Sequence, residues 1–102
     1  MAQLVHIVLW NLHPTAEGRS AAQNAQRAKE ALESLVGVVP GLLSAEVGFD
    51  TLHSDASADL SLYAVLESPE TLPLYQDHPA HQALLPMMRA ITSARRVIDY
   101  TR

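Results

Sequence analysis

The 102-residue chain carries 7 Lys and Arg against 11 Asp and Glu, a formal net charge of −4, and no cysteine. That length supports one domain with one modest core. The acidic balance and the lack of a basic patch argue against nucleic acid or an anionic membrane surface as a partner, and the lack of cysteine excludes disulfides and thiolate metal sites.

Leu4 to Leu12 (LVHIVLWNL) reads as the first strand, rich in branched residues and an aromatic and closed by His13-Pro14. The chain thus enters a strand pattern at once, with no charged segment leading into a long apolar run, so no signal peptide is expected. His6, Val8, Trp10 and Leu12 share one face, and Val5, Ile7, Leu9 and Asn11 the other. Both faces are mostly apolar, so both need cover. Thr15 to Gly18 reads as a loop. Ser20 can cap a helix running to about Val38, with Ala21, Ala25, Ala28, Leu32 and Leu35 as its apolar stripe. The small residues of that stripe either let the helix sit close to a sheet or leave room for something else.

Pro40-Gly41 signals a turn. Leu43, Ala45, Val47 and Phe49 then alternate with polar or small residues, the pattern of a half-buried strand. Thr51 to Ala58 is a polar loop, and Ala58 to Glu67 a third strand with Leu60, Leu62, Ala64 and Leu66 on one face. Ser68 and Pro69 open a short helix to about Gln76, and a longer helix follows from His78 to Ile91. Pro86 lies inside it, and a kink or break is expected there. Arg95 to Tyr100 (RRVIDY) is the last strand. No apolar run approaches the about 20 residues of a membrane helix, so a cytoplasmic protein without membrane partners is expected.

The order strand, helix, two strands, helix pair, strand predicts an α+β fold, a four-stranded antiparallel sheet with the helices on one face. The helices are amphipathic and can cover one sheet face only. The second apolar face of the first strand then calls for a partner subunit laid sheet to sheet, most simply a two-fold homodimer.

The stretch Leu74-Tyr75-Gln76-Asp77-His78-Pro79-Ala80-His81 carries the densest chemistry. Proline suits the first position of a helix, which puts His78 at the N-cap and His81 in the first turn. Leu84, Leu85, Met88 and Ile91 follow His81 at spacings of 3, 4, 7 and 10, one helix face, so His81 belongs to the buried stripe. Tyr75 can reach the same space. The pair is either core filler or a site. An imidazole can remove a proton next to a carbonyl, and burial keeps it neutral; the other reading is a core histidine bonded to a backbone carbonyl. A tyrosine can hydrogen-bond a developing enolate oxygen, or simply plug the helix–sheet seam. His6 shares its face with Val8 and Trp10, a lining suited to an apolar ligand, or is satisfied across the sheet. His78 and His81 have only Asp77 beside them as a further metal ligand, so no metal site and no cofactor are expected. No nucleophile elbow or phosphate-binding glycine loop is present.

Val5-His6-Ile7-Val8-Leu9-Trp10, Pro40-Gly41-Leu42, Glu46-Val47-Gly48, Tyr75 with His78-Pro79-Ala80-His81, and Val97-Ile98-Asp99-Tyr100 together resemble the stress-responsive α/β-barrel (Dabb) family, over essentially the whole chain. The resemblance implies a ferredoxin-like protomer whose dimer closes into an α+β barrel. One branch of that family is similar to plant olivetolic acid cyclase, a cofactor-free polyketide cyclase. Carried over, that similarity implies His81 as base, Tyr75 as hydrogen-bond partner and His6 in the lining. A further histidine of that enzyme aligns with Leu60 here, which departs from its pattern.

The expected function is a homodimeric small-molecule protein with an apolar or polyketide-like ligand and cofactor-free acid–base chemistry of the aldol or cyclisation kind. His81, Tyr75 and His6 are the candidate catalytic residues. Val8, Trp10, Leu62, His78, Leu85 and Met88 are the candidate ligand contacts. The alternative is a non-catalytic stress-response or metabolite-binding module, which a cavity under roughly 300 Å³ would favour.

Overall fold

Leu4–Leu12 forms β1, an interior strand, in the computed structural model, which describes residues 2–102. It pairs antiparallel with β5 (Leu60–Leu66) on one side and with β6 (Thr92–Thr101) on the other. With β4 (Leu42–Phe49) outside β5, the sheet order is β4-β5-β1-β6. Three helices, α1 (Ala21–Glu33), α2 (Thr71–Asp77) and α3 (Pro79–Ile91), cover one face. The β-α-β-β-α-β order read from the sequence is the order observed, the second α being the α2–α3 pair. Among the described residues no helix is long and apolar enough to cross a membrane.

Thr15–Gly18 is not a plain loop. Thr15–Ala16 (β2) and Arg19–Ser20 (β3) make a two-residue hairpin, with Glu17 and Gly18 at φ 54° and 73°. Two successive left-handed residues are what a type I′ turn requires. It sets up Ser20, whose Oγ accepts from Gln23 N while Gln23 Oε1 accepts from Ser20 N, a complete capping box. Asn24, fully buried in the next turn of α1, donates to the Ala16 carbonyl and so ties α1 to the hairpin.

The first helix ends at Glu33 rather than about Val38. Gly37 at φ 87° and the β-branched Val36, Val38 and Val39 disfavour its continuation, and turns carry Leu35 and Val39 into the core instead. In β4, a bulge between Leu42 and Ser44 turns Leu43 outward and puts Leu42 in the core, so the expected Leu43-to-Phe49 face is not the buried one at either end. Ala45 is partly buried and Val47 buried on the helix side. The second helix starts at Thr71, after a turn in which Thr71 N and Leu72 N donate to the Ser68 and Pro69 carbonyls; Ser68 contacts Thr71 Oγ1 and is not the cap. α3 runs through Pro86 to Ile91 without a break. β6 begins directly after it, three residues earlier than the pattern suggested.

The core lies between helices and sheet: Val8, Trp10, Leu60, Leu62 and Leu66 from the strands meet Ala28, Leu32, Tyr75, Met88 and Ile91 from the helices. The other face of the sheet has no helix. Leu9, Tyr63, Ile98 and Tyr100 are exposed there, and the register sets Tyr63, Ile7 and Ile98 side by side across three strands.

Gly41 closes the turn into β4 at φ 84°, and a Cβ there would stand 2.6 Å from Thr71 Cγ2. Gly37 shares the left-handed backbone but has open space around it. Gly37→Ala should therefore cost about 1 kcal/mol, the backbone term alone, and Gly41→Ala distinctly more. Urea unfolding of the two variants checks the ranking.

Candidate site beneath the helices

The α2–α3 junction does the positioning. His78 is the N-cap of α3, its Nδ1 accepting from Ala80 N at 3.0 Å, and Pro79 occupies the first helical position. That cap fixes where the first turn points and aims His81 back toward α2. There it meets Tyr75, which is 1% exposed, with ring centroids 4.6 Å apart. His6, rising from β1 and also buried, stands edge-on to Tyr75 at 6.1 Å. Three rings from three elements thus form one cluster around Tyr75.

The cluster borders a cavity of about 390 Å³ between sheet and helices. His6, Tyr75 and His81 line it, as do Val8, Trp10, Leu62, Leu85 and Met88. His78 does not: its ring nitrogen is spent on the cap, so this one of the expected ligand contacts lies outside the lining. Leu32, Gln76, Gln82, Leu84, Arg89, Thr92 and Arg95 complete the wall.

His81 Nδ1 is buried and has no hydrogen-bond partner. A buried polar atom left unpaired costs on the order of 1–3 kcal/mol, so it is a place where a ligand group or water gains a bond. Burial pushes the His81 pKa below its ordinary value of 6.5; the Gln76 backbone works against this, and the charges of His6 and Arg95 add to it. The imidazole is therefore neutral at pH 7, with a lone pair to offer. Burial pushes the Tyr75 phenol up to about 12, so it stays a proton donor across the physiological range.

His6 Nδ1 lies 2.5 Å from Asp99 Oδ1. The two residues are direct partners in the β1–β6 register. The Asp99 carboxyl thus fixes the orientation of the His6 ring. Asp99 was missing from the sequence-based candidates, and so were Arg89 and Arg95. The signal for Asp99 was present but conditional: it stands opposite His6 only once β6 is known to pair with β1, and in that register. His13 and His53 are exposed and outside the cavity wall. Among the described residues no group of three or more His, Asp or Glu is gathered as a metal site.

The model of the stress responsive A/B barrel domain, Dabb, matches residues 4–102. The chain belongs to the Dabb family. No curated protein matches this Dabb chain in sequence. Solved structures match it closely in fold. A dimeric protein of unknown function and ferredoxin-like fold from Bacteroides fragilis is 23% identical, with 98% of this chain and 96% of that one covered and a TM-score of 0.83. A dimeric ferredoxin-like protein of unknown function from Thermobifida fusca is also 23% identical, with 99% and 92% covered and a TM-score of 0.83. A Dabb family protein from Mesorhizobium loti is 16% identical, with 98% and 96% covered and a TM-score of 0.76. The protomer therefore has the ferredoxin-like α+β fold. In this Dabb chain Leu60 is buried in the core and is not part of the cavity wall.

Proposed function

We propose that this Dabb protein is a single-domain homodimer whose protomers each hold a small-molecule site, and that the site performs cofactor-free proton abstraction next to a carbonyl. The observation that carries the reading is the unpartnered, buried Nδ1 of a neutral His81 set against Tyr75 on the cavity wall. His81 takes the proton from the carbon beside the carbonyl, and the C–H electron pair moves into an enolate. Tyr75 donates a hydrogen bond to the enolate oxygen, with His6, oriented by Asp99, beside it. The enolate carbon then attacks a second carbonyl of the same ligand, forming the new C–C bond, and the His81 imidazolium returns its proton to the resulting alkoxide. This is chemistry of the aldol or cyclisation kind. The cavity exceeds the roughly 300 Å³ below which an ordinary ligand would not fit, which weighs against a module with no ligand.

The dimer is supported by the helix-free sheet face, where Ile98 is 58% exposed and Leu9, Tyr63 and Tyr100 adjoin it, and by the dimeric relatives of the same fold. Such a patch is stable in water when a second copy covers it.

Two outcomes are expected. In D2O the protein should speed deuterium uptake at C2 of a 3-oxoacyl thioester, read by proton NMR. His81→Ala should lower the protein-dependent rate by about 10²–10⁴ and Tyr75→Phe by about 10²–10³, both with native circular dichroism. Loss of fold in both variants would instead make these residues core. Light scattering should give the wild type twice the 11.1 kDa chain mass and Ile98→Lys, still folded, a single chain mass; a monomeric wild type would remove the dimer.

A further inference from the structure

The cavity sets His6, Tyr75 and His81 among apolar side chains and is cationic at its edge. Arg89 on α3 and Arg95 on β6 both line it and are both exposed, so they stand where it meets solvent. No Asp or Glu is in the wall. This arrangement runs against the composition, because acidic residues outnumber basic ones in the chain.

The other cations have engagements. Arg27 pairs with Glu17 and Lys29 with Glu33, Arg19 donates to the Glu17 carbonyl, and Arg102 donates to Gln3 and Tyr63. Among the described residues Arg89, Arg95 and Arg96 make no ion pair and no side-chain hydrogen bond, and two of these three border the same cavity. A guanidinium offers a planar pair of donors matched to a carboxylate, and such charge-assisted bonds are among the stronger ones available at a partly desolvated mouth.

We infer that the cavity takes an amphipathic carboxylate, its apolar chain or ring among Val8, Trp10, Leu62 and Met88 and its anionic head on Arg89 and Arg95. The inference deepens the reading of the cavity as a small-molecule site and rests on it. It narrows the apolar or polyketide-like ligand expected from the sequence to one that is negatively charged at one end. It also gives the ligand a direction: head at the mouth, apolar body toward the sheet.

Trp10 is the only tryptophan of the chain and lines the cavity, so its fluorescence reports occupancy without a label. The test is a titration of the full chain at pH 7 and low salt with octanoate and, separately, with 1-octanol, which has the same chain length and no charge. Octanoate should bind at least tenfold more tightly. In the Arg89→Gln/Arg95→Gln double variant that preference should vanish while the octanol affinity stays within twofold, which also shows that the variant cavity is intact. Added salt should narrow the wild-type preference. Equal binding of the two ligands by the wild type, or a preference that survives in the double variant, would overturn the charged-head inference and leave the small-molecule site standing. No response to either ligand would overturn both.

Discussion

Everything in this fold follows from β1 having to be covered on both faces. It is an interior strand, hydrogen-bonded on each side, and its two rows of side chains are nearly all apolar. The chain has three amphipathic helices and spends all of them on one face. That choice creates two features at once. On the helix side, His6, Val8 and Trp10 form the floor of a cavity. On the other, Leu9, Ile98, Tyr63 and Tyr100 are left in water. Site and bare face are thus opposite sides of one strand, and a dimer formed on the bare face would stiffen the floor of the site.

The cavity is held open by a local device. A seven-residue helix stops at Asp77, His78 caps the next, and Pro79 fixes its start. The junction turns Tyr75 and His81 toward each other, in front of a sheet that brings His6. The residues then differ in how they are satisfied. His6 has Asp99, and His78 has a backbone amide. His81 alone keeps a buried ring nitrogen without a partner. Native interiors rarely leave such a group unpaired, and where they do a bound molecule is a common reason.

Much of this was legible in the residues. The strand periodicities, the Ser20 cap, the Pro79 start of α3 and the inward stripe of His81 all rest on local rules, and local rules carried them. What was not legible depended on pairing or on competition. Leu43 turned out because a bulge in β4 shifts the period-2 pattern by one, and nothing in the alternation itself marks the bulge. The first helix stopped short because Val36, Gly37 and Val38 outweigh an apolar stripe that continues through Leu35. Asp99 and Arg95 could be placed only through the β1–β6 register, which sets them opposite His6 and Trp10. His78 looked like a ligand residue for the same reason that it is a good cap: a polar ring at the head of a helix.

The most direct measurement is an imidazole NMR titration of His81 in the ligand-free protein, assigned with His81→Gln. The central claim is that folding lowers this pKa and keeps the ring neutral at pH 7. A group of that kind prefers its proton in the unfolded chain, so its share of stability is intact above its ordinary 6.5 and is lost as pH falls through and below that value. The account predicts a midpoint below 6.5, with the ring neutral at pH 7. A midpoint above 6.5 would contradict it, because the folded site would then favour the charged ring, the form that has no lone pair to give.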